Sequence, residues 1–345
     1  MKTDHECKQF ILGIPKAELH VHVEGTLEPE LAFAIADRNN SSLPFKSPEQ
    51  LRKAYKFSNL QSFLDLYYVV SSVLQREKDF YDLAMMYLKK AHSETVRHCE
   101  IFFDPQAHTQ RGVPFKEIIG GIRNASADAQ KEFGISTKLI MCFLRDLSTE
   151  SAMETLTQAL RFKDWIIGVG LDSSELGNPP ERFKNVFDRA RQEGLLTVAH
   201  AGEEGPPEYI WQALDTLKVS RIDHGVRCIE DPTLVGKLRS DRVPLTVCPI
   251  SNVKLGLFKD VTEHNLKNLL DLGLCVTVNS DDPAYFGSYI NENYFAATEA
   301  LSLNKNDIYQ IAKNSFESSF LTQEEKRRYV AELDNYMSEY SAFRR

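Results

Sequence analysis

The stretch Ala17-Glu18-Leu19-His20-Val21-His22-Val23-Glu24-Gly25 decides how this chain is read. Alternate side chains of a strand share one face, so His20 and His22 project side by side and offer two imidazoles to one point. A histidine pair near a strand end is commonly structural. Three further polar clusters give this pair its weight, each placed where an apolar run ends: A-H-A-G-E-E-G around His200, I-D-H-G around His224 and V-N-S-D-D-P-A-Y-F-G around Asp281.

Those runs set the fold expectation. Strands are predicted at Glu18 to Val23, Cys99 to Phe103, Lys138 to Phe143, Ile166 to Leu171, Leu195 to Ala199, Arg221 to Asp223, Pro244 to Val247 and Leu274 to Val278. Short continuous apolar runs suit strands buried on both faces, and their alternation with helical stretches means parallel pairing. Eight such units predict a closed (β/α)8 TIM-type barrel. A helical insertion follows strand 1, with a helix from Pro29 to about Asp37. One helical stripe then comprises Leu60, Phe63, Leu64, Tyr67 and Tyr68, and a second comprises Phe80, Leu83, Ala84, Tyr87 and Leu88. Both stripes read as core, and the first has a second reading as the roof of a pocket. From Asn291 onward the chain reads as helices, including Asp307 to Ser318 and Gln323 to Tyr340. No linker or repeat divides it, so one barrel domain is expected over residues 1–345.

Composition narrows the function. A net charge of −8 argues against nucleic acid as a partner, because such proteins carry basic surfaces. No apolar run approaches the ~20 residues of a membrane span, and the polar start from Met1 to Gln9 lacks the apolar block of a signal peptide. The expectation is a soluble protein of the cytoplasm, with the nucleus also open. Six scattered cysteines without a C-x-x-C pair predict buried thiols, no disulfide and no cysteine zinc site.

In a parallel barrel the reactive groups gather at the C-terminal ends of the strands. His20 and His22 from strand 1, His200 and Glu203 after strand 5, His224 at strand 6, and Asp281 and Asp282 after strand 8 are therefore expected to meet at one mouth. Three neutral imidazoles and a carboxylate suit one borderline-soft divalent ion per chain, zinc by ligand type. Such an ion lowers the pKa of a bound water to roughly 7. Glu203 is placed to protonate the substrate atom that gathers charge, with Glu204 as the alternative acid. His224 orients or deprotonates the water, or else is a core histidine bonded to backbone. Asp282, beside Asp281 on an extended backbone, is expected to miss the metal and to bond substrate. His5, His92, His98, His108 and His264 lack ligand spacing and read as structural. Strand 4 holds no lysine to carry the bridging carbamate of two-metal hydrolases, which favours a single ion and deamination of a heterocycle. The H-x-E and P-C-x-x-C pattern of the other zinc deaminases is missing.

With P-K-A-E-L-H-V-H-V-E-G-T-L-E-P-E, A-H-A-G-E-E-G-P, R-I-D-H-G, C-P-I-S-N-V-K-L and N-S-D-D-P-A-Y-F-G in place, the chain resembles the adenosine and adenine deaminase family from Pro15 to about Tyr289 and more loosely beyond. The resemblance implies zinc on His20, His22, His200 and Asp281, Glu203 as proton donor to purine N1, His224 assisting the attacking water, and Asp282 at purine N7. Two departures bear on the substrate. Adenosine deaminases carry aspartate where this chain has Glu24, a residue expected to intrude on the space of a sugar. They carry G-D-E where it has Ser173-Ser174-Glu175, so Ser173 is expected to narrow the pocket. Other phrases are similar to the adenine deaminase branch, which implies conversion of adenine and water to hypoxanthine and ammonia in purine salvage. The implied partner is a small purine, without nucleic acid or membrane. Rival readings are the same chemistry on adenosine or on an N6-substituted adenine nucleotide, with Lys254 and Arg111 as the available phosphate contacts. A rival of another class is a catalytically inactive barrel acting as a binding protein, against which stands the complete set of ligands with Glu203.

Overall fold

The computed structural model describes residues 2–342. Eight strands, β1 (Lys16–His22), β2 (Val96–Phe103), β3 (Ser136–Leu144), β4 (Gly168–Asp172), β5 (Leu196–Ala201), β6 (Arg221–His224), β7 (Pro244–Val247) and β8 (Cys275–Val278), lie side by side in chain order. All neighbouring pairs are parallel. The seam between β8 and β1 is closed just past the end of β8. There the Asp281 N–H donates to the His20 carbonyl at 3.1 Å, and the Asp281 carbonyl accepts from the His22 N–H at 3.0 Å. Lower in the seam the Asn279 side chain accepts from the Leu19 N–H at 2.9 Å. The expected (β/α)8 barrel is the fold.

Every expected strand is present, and the differences lie at the ends. β2 begins at Val96, three residues before the expected Cys99, because Arg97 and His98 break the apolar run without breaking the ladder. His98 is fully buried there and bonds Ser136 Oγ at 2.6 Å and Glu100 at 3.3 Å. β4 starts at Gly168, leaving Ile166 and Ile167 in the approach to it.

Two apolar cores follow from strands buried on both faces. Phe102, Ile140, Cys142 and Val198 fill the barrel interior, while the larger core lies between strands and helices. Toward the N-terminal end the interior is ionic: Arg221 of β6 bonds Glu100 of β2 and donates to the Leu19 carbonyl at 3.1 Å. Both side chains are fully buried, and their pairing satisfies groups that would otherwise be costly to desolvate.

The helices are α1 (Lys2–Gly13), then the insertion α2 (Pro29–Arg38), α3 (Pro48–Ala54), α4 (Leu60–Ser71) and α5 (Glu77–Ser93), and those of the later βα units and the C-terminal region. α1 has no counterpart in the sequence reading. Its polar beginning hides a helix whose Phe10 packs against Tyr336 and Tyr340 of the helix Gln323–Ala342, with ring centroids 5.4 and 5.0 Å apart. Asn59 precedes α4 as its N-cap, its side chain accepting from the Ser62 N–H at 2.9 Å. The cysteines are all free, and among the described residues no helix is long and apolar enough to cross a membrane.

Candidate active site

Asp281 ties the site to the fold. Its backbone closes the barrel seam against His20 and His22, which places its carboxylate beside both imidazoles. Asp281 Oδ1 lies 3.1 Å from His20 Nε2 and 3.4 Å from His22 Nε2, and His22 Nε2 lies 3.2 Å from His200 Nε2. His20, His200, His224 and Asp281 each turn one ligand atom to a common point, all within 4.8 Å of one another, and His22 joins them through His200 and Asp281. A divalent cation fits this donor set. Nitrogens facing each other at such a distance around a carboxylate oxygen are satisfied by a shared positive charge.

The protonation states suit ligation. Burial, then the neighbouring His20 and His224, holds His200 well below the usual imidazole range, and burial lowers His22 as well. Both are therefore neutral, the form that binds metal. Burial opposes ionisation of Asp281, yet His20 beside it outweighs burial and keeps the carboxyl well below its ordinary value. The outer atoms are held in turn. Ser251 Oγ donates to Asp281 Oδ2 at 2.6 Å, Thr246 Oγ1 lies 2.9 Å from His20 Nδ1 and donates to Asp223 at 2.8 Å, and Asp172 lies 3.5 Å from His22 Nδ1. Such contacts fix the orientation of the rings.

Beside the cluster opens a cavity lined by Glu203, His224, Asp282, Ser173 and the underside of α4. Glu203 Oε1 stands 3.6 Å from His224 Nε2. Burial first, and then Asp281, Glu175 and Glu204, push the Glu203 carboxyl well above the carboxylate range, so it holds a proton at neutral pH. His224 goes the other way: burial and His20 lower it to about 3, leaving a neutral ring. Asp282, pushed well up by burial and by Asp281, is a second carboxyl that carries a proton to donate.

His20, His22, His200, Asp281, Glu203, His224, Asp282 and Ser173, far apart in the chain, thus meet at one mouth. The α4 stripe is both core and roof, since Leu60, Phe63, Leu64, Tyr67 and Tyr68 all face the cavity. Glu204 is separated from Glu203 by direction, reaching the N–H of Leu60 at 3.4 Å at the start of α4. His224 is a cavity residue whose Nδ1 faces the Asn252 amide at 3.2 Å.

Two expectations need correcting. Glu24 does not line the cavity: it is fully buried behind the wall, accepting from His108 Nε2 at 2.9 Å and from the Asp104 N–H at 3.2 Å. The expectation rested on the resemblance to adenosine deaminases, and here the 3-10 turn Glu24–Thr26 that follows β1 carries the side chain into the wall. Nor is the backbone at Asp281 extended. Its φ of +67° turns the chain left-handed, and both Asp281 and Asp282 enter the site. Ser173 and His224 share this conformation, with φ of +72° and +62°, at the ends of β4 and β6. Non-glycine residues held this way are enriched where function fixes a side chain.

Some functional neighbours went unread. Asp104 and Asp172 line the cavity at the ends of β2 and β4. The rule applied to β5 and β8, a polar residue directly after an apolar strand, also points to both. Of the two cationic residues, Arg111 is consumed by the carbonyls of Ala107, Ser71, Ser72 and Leu74. Lys254 lines a separate surface groove with Arg52 and Lys90.

The adenosine deaminase family profile matches residues 15–336. The chain is 58% identical over 333 residues to an adenine deaminase of Hahella chejuensis, covering 96% of this chain and 100% of that one. The crystal structure of an adenine deaminase from Arthrobacter aurescens superposes with a TM-score of 0.93 at 49% identity, covering 94% of this chain and 100% of that one. An amidohydrolase from Burkholderia ambifaria, solved with bound Zn, superposes with a TM-score of 0.89 at 25% identity, covering 98% and 95%.

Proposed function

The chain belongs to the adenosine deaminase family, and on that premise we propose that its buried constellation carries out the hydrolytic deamination of adenine with one zinc ion held by His20, His22, His200 and Asp281. It is an enzyme of the adenine deaminase branch: adenine and water become hypoxanthine and ammonia, a purine-salvage reaction. When bound, the metal supplies the acidity that lets water act as a nucleophile near neutral pH. Glu203, protonated, donates to purine N1 and makes C6 electrophilic. His224, neutral, takes a proton from the attacking water and returns it to the departing amine. Asp282 donates to N7, so two carboxyls grip the two ring acceptors that flank the reacting carbon. The C6–N bond breaks as the C6–O bond stands. Of the two water protons one leaves with ammonia, and the other restores the Glu203 proton that N1 keeps.

The observation that carries this reading is the opposed pair at the cluster's edge, a proton-holding Glu203 3.6 Å from a proton-free His224. Ser173, bonded to Tyr68 Oη at 3.0 Å, narrows the mouth on the α4 side. With Arg111 engaged and Lys254 elsewhere, no phosphate cradle favours a nucleotide. Purified protein incubated with adenine, adenosine and N6-methyl-AMP, followed by ultraviolet absorbance, tests the assignment. Adenine is expected to be consumed far faster than the others, and preference for either alternative overturns it.

A further inference from the structure

The glutamate that ends Ser173-Ser174-Glu175 lies outside the reacting groups, yet four main-chain N–H groups point at it. Glu175 Oε1 accepts from Gly202 at 2.7 Å, and Oε2 accepts from Glu203 at 3.1 Å, Glu204 at 2.8 Å and Gly205 at 2.7 Å. Its side chain is buried, 1% exposed. Successive N–H groups curled around one anion form a nest, a geometry that elsewhere holds phosphate or carboxylate ligands. Here the anion comes from the loop after β4, and the nest is the loop after β5 that carries Glu203.

The sequence is cut to this shape. Gly202 sits at φ +70°, where a Cβ would strike Ile210 at 2.4 Å, and a Cβ on Gly205 would lie 2.5 Å from Glu175 Oε1. G-E-E-G is therefore spaced so that its ends admit the carboxylate and its middle presents Glu203. Arg145 braces the same two loops from beneath, donating to the His200 carbonyl at 2.7 Å and the Asn178 carbonyl at 2.9 Å. Arg227 fixes the far side through the Glu204 carbonyl, while its own N–H bonds the Gly202 carbonyl at 3.0 Å.

We propose that Glu175 is a positioning residue for catalysis: by binding the four N–H groups of residues 202–205 it fixes the main chain from which Glu203 reaches the substrate. The inference rests on Glu203 being the proton donor. A glutamine at 175 presents a single acceptor oxygen and turns an NH2 group toward N–H donors, so part of the nest opens while shape and volume stay. Acid placement loosens and the metal ligands keep their own supports. The expected signature is a fall in kcat with KM little changed, since the contact matters most when the proton is transferred.

A double-mutant cycle on the zinc-loaded enzyme separates positioning from general weakening. Glu175→Gln is expected to lower kcat on adenine by about 10- to 100-fold, with zinc content unchanged and KM within about threefold. In the Glu203→Gln background the same change is expected to cost less than about threefold, because the group it positions has already lost its proton. Loss by the same factor in both backgrounds, or full kcat in the single variant, overturns the proposal. Glu175→Asp, too short to reach all four donors, is run through the same cycle and decides the matter if the glutamine variant fails to fold. Near-normal turnover of Glu203→Gln alone would instead overturn the assignment of the acid.

Discussion

Asp281 meets His20 twice, with its N–H on the His20 carbonyl at 3.1 Å and its Oδ1 beside His20 Nε2 at 3.1 Å. The first contact closes the barrel and the second brings the carboxylate to the imidazole cluster. A fold whose last seam is made by a member of that cluster cannot close correctly and leave the cluster apart. This explains how residues separated by 261 positions hold such short distances without a loop to guide them.

Ser251 controls which oxygen of that carboxylate faces the imidazoles. Ser251→Ala frees Oδ2 and should weaken zinc binding by about 10- to 100-fold, the usual effect of losing an outer-shell partner. Competition with a chromophoric chelator reads the change. Turnover at saturating zinc should stay within a few-fold of the parent enzyme, and unchanged affinity would show that the seam alone orients Asp281.

Glu203→Gln should retain zinc and lose about 10²- to 10⁴-fold in kcat, the range attributed to a positioned general acid. His200→Ala should lose zinc and turnover together. Metal analysis beside steady-state kinetics distinguishes the two, and a glutamine variant with near-normal kcat would move the acid to Glu204.

Glu24→Asp should not make room for a sugar. The shorter side chain withdraws from His108 and from the Asp104 N–H, leaving buried polar groups unpaired at about 1–3 kcal/mol. Thermal denaturation should show a lower Tm, with no gain in adenosine turnover. Adenosine turnover at unchanged Tm would restore direct contact between this residue and the substrate.

The ionic end of the barrel predicts an acid limb of stability. Burial opposes the charge on Glu100, but Arg221 and His98 outweigh it and bring its pKa down to about 2, against roughly 4.3 for a free glutamate. A carboxyl depressed on folding contributes stability above its unfolded pKa and loses it as pH falls through the folded one. The contribution, on the order of 3 kcal/mol, should therefore vanish between about pH 4.5 and pH 2. Urea midpoints at stepped pH should fall across this window in the parent protein. In Glu100→Gln they should start lower and fall less steeply, and parallel slopes would contradict the pairing.

The legible parts were those with a simple period or a strand end. Runs such as Pro244 to Val247 name their strands because burial on both faces demands unbroken apolar sequence. His20 and His22 name the site because the pleat puts them on one face. The direction of Glu24 was not legible, since the turn after β1 changes the side-chain alternation. The left-handed φ of Asp281, Ser173 and His224 was hidden because aspartate, serine and histidine do not announce it as glycine does. Glu175 keeps the glutamate of a motif that departs at Ser173 and Ser174, but its four donors are main-chain groups and leave no mark in the side-chain sequence.

The central claim is that four ligands from three strand ends assemble one cation beside an acid that deaminates adenine. Metal-free protein titrated with zinc, with bound metal and the rate of adenine loss measured at each step, tests it most directly. The account predicts that turnover rises in proportion to zinc and saturates at one ion per chain. Full turnover in the metal-free protein, or saturation of zinc without any loss of adenine, would contradict it.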